Sequence, residues 1–519
     1  MPEPARHEGG TVTVGDWQLP GALLPVGTQT ASATAVEQTI FSPLIGVDSQ
    51  LAYYGDLARD VPSLDNGEVK LTGSGMDVAY TLREGLRWSD GQPVTPDDIA
   101  FTWSVQKQSA GYDQITGIDR SGSTATIHFK AIYPAFPLLF SAVLPAHRLA
   151  SIDPAKLASN SFWNKPDVAS GPFQVLEAPG SRWTLQRNPH YPDGRAGTPL
   201  GHAAHLDRLV FRGYDTKDAE LADLKAGDLQ VGLDLNERDL DLVSRFSGVR
   251  LKLVPSLSYE QLALNHDDPL FKTDPALAAA LAGGLDRHSV TGGVLHGRAP
   301  LADGPISPLQ SWIAQGPAWQ TDPAAARQAL DADGWSIGSD GIRAKAGRRL
   351  TLVISTAGGN PLRDAEAAAL AAALHGLGAE ARVQEVPNQQ LFGSYASRGL
   401  LERGTYQLAL WSWVLPPDPD ALFDIYASTR VPSAGGSGQN YDRCRDPEID
   451  AALAEGRSTL DAQKRGQAYS RFLAAYRGAR CEVPLFQRLD VAVTANGLHN
   501  VAPNPAATGN TWNAVDWWV

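Results

Sequence analysis

Thr11-Val12-Thr13-Val14 is a β-type alternation, closed by Gly15 and a Pro/Gly-rich connection that runs to Pro25. From there strands and amphipathic helices alternate to the end of the chain, the pattern of a mixed α/β protein. One helix-start device recurs, an Asp or Thr followed by Pro, at Thr95-Pro96, Asp153-Pro154, Asp274-Pro275, Asp322-Pro323, Asp418-Pro419 and Asp446-Pro447. The side-chain oxygen accepts from an orphan backbone N–H, and Pro presets φ where its missing N–H costs nothing. These starts predict helices near 96–109, 275–290, 323–333 and 447–457. Arg363 to Leu377 predicts another, Ala-rich and ended by Gly378. Gln407 to Trp413 alternates as a strand, with Leu408, Leu410 and Ser412 on one face and Trp411 and Trp413 on the other. Residues 50–170 differ from their flanks, with short strands, turns and an aromatic-Pro run at 132–140, and read as an inserted subdomain. Weaker breaks fall near 265–275 and 485–490.

The length of 519 residues suggests two to four domains at about 150 residues each. A formal charge of −13 repels phosphate backbones and argues against nucleic-acid binding. The densest basic cluster, Arg343 to Arg349, reads as a solvated turn. No segment resembles a membrane span: the apolar run Ala131–Ala146 is short and broken by Pro134, Pro137 and Pro145. The first ten residues hold no apolar leader core, so the chain is either cytosolic or an exported one whose leader is missing. The two cysteines, Cys444 and Cys481, read as separate buried thiols or, in an exported protein, as a bridge.

Catalytic signatures fail one after another. His7-Glu8 lacks the second histidine of a zinc-protease motif, and no phosphate-binding loop or nucleophile elbow occurs. Ser104 and Lys107 match S-x-x-K inside a predicted helix, without the companion motifs of a serine hydrolase. His202 and His205 lack a third ligand, the two cysteines lack zinc spacing, and Gly435-Gly436-Ser437-Gly438 lacks a phosphate-loop context. The expectation is a non-enzymatic protein without cofactor or metal.

Tyr80 to Ile99 reads physically as strand, turn and helix. Ser89-Asp90-Gly91 makes the turn, Thr95 caps the helix and Asp98 stands at N3. This run, with Leu82-Arg83, Trp88, Asp90-Gly91, Pro93, Thr95 and Asp98, resembles the signature of the peptide/nickel/opine-type (family 5) extracytoplasmic solute-binding proteins of ABC importers. The likeness continues in Ser170-Gly171-Pro172-Phe173, Arg187-Asn188-Pro189-His190-Tyr191, Leu221–Asp228, Leu262–Asn265, Leu285-Asp286-Arg287, Tyr406–Phe423 and Pro447-Glu448-Ile449-Asp450.

The resemblance implies a two-lobed periplasmic-binding-protein-like α/β fold of class II, cluster C type, with an extra domain. Lobe I would take 1–44, 171–265 and 488–519, the insertion 45–170, and lobe II 266–487. A hinge would close the lobes on a solute for delivery to ABC transporter membrane subunits. It also implies an extracytoplasmic monomer, in the periplasm or lipid-anchored, with its leader removed and Met1 an added start. A Cys444–Cys481 bridge follows from export.

Candidate ligand residues are Trp411 and Trp413, whose rings suit stacking unless the sheet is covered on both faces, with Asp418, Trp17, Tyr112, Tyr441 and its neighbour Asn440. Peptide-binding members usually place an Asp three residues after the matching Trp to hold the ligand's α-ammonium. Here Val414, Leu415 and Pro416 stand instead, and a buried ammonium without a counter-charge is costly. Either Asp418 or another acid substitutes, or the ligand lacks that amine. An oligopeptide is the first expectation, an oligosaccharide the alternative, and a secreted hydrolase using Ser104 a remote third.

Overall fold

A computed structural model describes residues 3–519 except 17–18, 27–29, 74, 179, 181, 192–202, 234, 238 and 507–509. The described chain forms two compact units, the first from residues 3–254 and 490–519 and the second from Pro255–Leu489. The second unit thus starts at 255 and ends at 489, where the sequence placed lobe II at 266–487.

The first unit is built on β1 (Thr11–Asp16), β2 (Phe173–Glu177), β3 (Arg182–Arg187), β4 (Arg208–Gly213) and β5 (Val231–Gly232). β1 runs parallel to both β4 and β5, and the antiparallel β3 and β2 complete the order β5-β1-β4-β3-β2. The predicted insertion carries its own antiparallel sheet of Val69–Thr72, Gly75–Thr81, Thr124–Phe129 and Ile115–Ser121.

Trp88, Gly91, Thr95 and Asp98 of the 80–99 signature have structural tasks there. Trp88 is fully buried and its Nε1 donates to Asp98 at 3.3 Å. The same carboxylate accepts the Thr95 N–H at 2.8 Å and, through its other oxygen, the Ala146 N–H at 2.8 Å. Gly91 sits at φ +85°, a conformation that a side chain would strain, and its carbonyl accepts from Arg87 at 2.7 Å. The helix α1 (Pro96–Gln106) that follows stops three residues short of the predicted end. On it, the Ser104 hydroxyl donates to the Phe101 carbonyl at 2.7 Å.

In the second unit β6 (Val249–Leu264) enters from the first, and β7 (Thr351–Ala357), β8 (Glu380–Val386), β9 (Leu408–Trp413) and β10 (Glu482–Ala495) follow. Their order is β8-β7-β9-β6-β10, with β6 antiparallel to β9 and the β9-β7-β8 block parallel. The chain passes between the units within β6 and again within β10. One sheet face carries α2 (Pro275–Gly284) and α3 (Pro361–Gly376), whose Leu277, Leu281, Leu370 and Leu374 pack on Leu262, Leu264, Leu408 and Leu410. The helix predicted over 275–290 ends at Gly284, and a separate turn occupies His288–Thr291.

Two further expectations change in three dimensions. The Arg343–Arg349 cluster is a solvated turn only in its second half, where Ala346-Gly347 turns and Arg348 and Arg349 are exposed: Arg343 is buried, donating to the carbonyls of Leu377 and Trp335, and Lys345 bridges Asp274 and Asp333 at 2.8 Å each. Asp418-Pro419 starts a 3-10 turn, Pro419–Ala421, rather than an α-helix. No helix among the described residues is long and apolar enough to cross a membrane.

α4 (Pro447–Arg457) and α5 (Ala462–Ala479) pack together, and the cysteines flanking them are joined, Cα to Cα 5.5 Å apart. Closing a loop of 37 residues removes chain entropy from the unfolded state equivalent to about 4 kcal/mol. Replacing both cysteines by Ser should lower stability by about that amount in denaturant titration, and mass analysis of the unreduced protein should find no free thiol.

Candidate functional site

The register of β6 on β9 sorts the chemistry. Glu260 lies opposite Ser412, while Gln261 lies opposite Trp411 and Tyr259 opposite Trp413. Because side chains alternate, Glu260 and Ser412 share the helix-covered face, and Gln261, Tyr259 and the two Trp share the other.

On the first face Glu260 is fully buried. Arg363 reaches its Oε1 at 3.1 Å, Arg488 reaches Oε2 at 3.4 Å, and the Ser412 hydroxyl donates to Oε2. The second face is also covered. Trp411 is 1% exposed, packed with Ala263, Ala409, Leu391 and Leu401, so its ring is core. Trp413 is half-buried and lies parallel to the Tyr441 ring, centroids 5.6 Å apart and planes 9° apart. Val414, next along, is 63% exposed.

On this sheet face, polar atoms are left over. The Gln261 carboxamide and the indole N–H groups of Trp411 and Trp413 are buried with no hydrogen-bond partner in the protein. An unmade buried hydrogen bond costs about 1–3 kcal/mol. Gln261 was not legible as a site residue; only its position opposite Trp411 reveals it.

The other expected ligand residues are structurally occupied. Asp418 caps its turn by accepting the Asp420 N–H at 2.9 Å and is clamped by Arg465 at 2.8 and 3.0 Å. Asn440 is buried and its amide donates to the carbonyls of Tyr426, Ala427 and Cys444. Tyr112, in the first unit, is buried with its hydroxyl accepting the Phe140 N–H at 2.7 Å. Trp17 and His202 lie outside the described residues. Trp413 and Tyr441 are thus the two expected residues brought together with an accessible edge.

A second polar cluster stands beside Tyr441. The Glu482 Oε1 accepts the hydroxyls of Tyr259, Tyr426 and Tyr476 at 2.8 Å each, and the carboxyl of Asp442 hydrogen-bonds Glu482. Burial, with the neighbouring Glu482 charge added, holds Asp442 well above the usual carboxylate range; burial also raises Glu482 against the hydrogen bonds it accepts. Among the described residues one trio of metal-capable side chains meets, His266 with the two bridged cysteines.

The model of the bacterial extracellular solute-binding proteins, family 5 Middle, matches residues 54–433. The oligopeptide-binding protein AppA of Bacillus subtilis is 26% identical over 99% of this chain and 92% of its own. Protein XP55 of Streptomyces lividans is 27% identical over 85% and 81%. The structure of B. subtilis AppA in complex with a nonapeptide superposes with a TM-score of 0.76 at 24% identity, covering 99% of both chains. NikZ from Campylobacter jejuni, in complex with Ni(L-His), gives 0.76 at 22% identity over 98% and 99%. At these identities the solved structures establish the fold.

A carboxyl raised in the folded state favours folding while protonated. Its contribution is complete below the unfolded value near pH 4 and is lost as pH rises through the raised one. Asp442→Asn, neutral at every pH, should therefore lose less stability than the wild type between about pH 5 and pH 8. Denaturant midpoints at the two pH values measure the difference, and parallel curves would contradict the assignment.

Proposed function

The chain belongs to family 5 of the bacterial extracellular solute-binding proteins, and from that premise we propose that it captures an oligopeptide outside the cytoplasm for an ABC importer. It acts as a monomer, holds the solute without altering it, and hands it to the membrane subunits of the importer. The relatives named as oligopeptide-binding support the ligand class.

The observation that carries the site is the parallel Trp413–Tyr441 pair on the sheet face that also holds the unpaired Gln261 amide and indole N–H groups. Flat aromatic rings give contact area to side chains of varied shape, which suits a receptor that must accept many sequences. A carboxamide offers one donor group and one acceptor, the same complement as a peptide bond, so water relayed from Gln261 can serve either end of a ligand amide.

The missing acid after Trp413 acquires a definite meaning. Asp418 is committed to Arg465 and Glu260 to Arg363 and Arg488, so neither is a spare counter-charge beside the rings. We take the ligand segment over Trp413 to be interior peptide or a blocked end, Glu402, which acts electrostatically on Tyr441, being the acid left near the rings.

Peptide pools should raise the melting temperature, with a stabilisation of about 2.7 kcal/mol at a hundredfold excess over Kd, while oligosaccharide pools leave it unchanged. N-acetylated peptides should bind as well as free ones; a strict need for the free amine would refute the reading of the acid-free strand end.

Trp413→Ala should weaken peptide binding about tenfold with little loss of fold, as for an anchor at a contact surface. Trp411→Ala, in the core, should instead cost about 3–5 kcal/mol of stability. Calorimetry and denaturant unfolding of both variants separate the two roles. Unchanged affinity in Trp413→Ala would place the ligand elsewhere.

A further inference from the structure

His266 follows the end of β6, and the cysteines flank α4 and α5, so residues distant in sequence meet at one place in the second unit. One ring nitrogen of His266 and the two sulfurs all lie within 4.8 Å of one another. The Nε2 of His266 donates to the Cys481 carbonyl at 3.0 Å, which fixes the ring and leaves Nδ1 with the lone pair. A backbone carbonyl holding a histidine N–H is the usual support of a metal-ligating imidazole. Cys444 and His266 also line a pocket of about 340 Å³, enough for an ion to enter with its water.

We propose that reduction of the Cys444–Cys481 bridge opens a zinc site at this place, with both thiolates and the His266 imidazole as ligands and water in the fourth position. A phosphine or dithiol reductant supplies two electrons to the S–S bond, and two protons complete the thiols. Zn²⁺ then displaces both thiol protons and is bound by two thiolates and one neutral imidazole. Zinc–sulfur bonds of about 2.3 Å and zinc–nitrogen bonds of about 2.0 Å require the sulfurs to part by nearly 2 Å and the ring nitrogen to stand about 3.5 Å from each.

Charge does not oppose the complex. Two thiolates cancel the ion, so the Arg443 and Arg445 side chains at the pocket face a neutral centre. Both guanidiniums are engaged already, Arg443 with the carbonyls of Leu401, Glu402 and Tyr441, and Arg445 with Asp267 at 2.9 and 3.1 Å. While the bridge is closed the sulfurs carry no ligating charge, so the site exists only in the reduced protein.

The test uses the full chain, reduced with a phosphine, desalted without oxygen and titrated with Co²⁺ and then Zn²⁺. The expected result is one Co²⁺ per chain with a sulfur-to-cobalt charge-transfer band and tetrahedral ligand-field bands, bleached by Zn²⁺, and neither in the oxidised protein. His266→Ala should weaken Zn²⁺ binding by about tenfold or more while circular dichroism of the reduced protein is unchanged. Cys444→Ser with Cys481→Ser should abolish the charge-transfer band. Equal binding by oxidised protein, unchanged affinity in His266→Ala, or octahedral cobalt without the sulfur band would overturn the proposal. If reduction unfolds the second unit, Zn²⁺ must restore its thermal transition; failure to do so would overturn it as well.

Discussion

The antiparallel pairing that sets Gln261 opposite Trp411 and Tyr259 opposite Trp413 is the constraint on which the second unit's chemistry depends. A strand has a period of two, so this single register assigns every side chain of β6 and β9 to a face. A slip of one residue would bring Glu260 under the indoles and turn Tyr259 away from Glu482. The helix-covered face tolerates Glu260 because Arg363, Arg488 and Ser412 complete its pairing there. The opposite face keeps the aromatic pair and its unsatisfied polar atoms together.

The hydroxyls around Glu482 are paired, unlike Gln261 and the two indoles. Three tyrosine hydroxyls converge on one Glu482 oxygen, and Asp442 supplies a further hydrogen bond from the segment that leads to Cys444. One end of the bridge is thus held by the residue after Cys481 and the other by the residue two before Cys444. Such a network is costly if any member is lost, because the remaining oxygens stay buried. It links β6, β10 and the helices around the bridge into one block.

Against that block, the Trp413 edge contrasts in packing. Trp411 is sealed among Ala263, Ala409 and Leu391, while two residues on Trp413 keeps an open side and Val414 projects outward. The packing thus passes from sealed to open along a few residues of one strand. Asp418, only a few residues further, is already returned to structural duty by Arg465.

Local chemistry was enough to read the helix starts, since an Asp or Thr before Pro acts within one turn of chain. Asp274, Asp322 and Asp446 accept first-turn N–H groups in the structure. Family likeness rested on the same kind of local fact, for Trp88, Gly91, Thr95 and Asp98 satisfy one another within a few residues. The burial of Arg343 escaped that reading because its partners, Leu377 and Trp335, come from other elements. The alternation of Leu408 to Trp413 gave the two faces of β9, but whether the tryptophan face was covered depended on Leu391, Leu401 and Tyr441 folding over it. By itself, then, the sequence determined the elements, their caps and the family, because those depend on neighbours along the chain. Tertiary structure alone decided that Trp411 is core while Trp413 keeps an edge, that Gln261 is left unpaired, and that His266 meets the cysteines, because burial and pairing are set by residues distant in sequence.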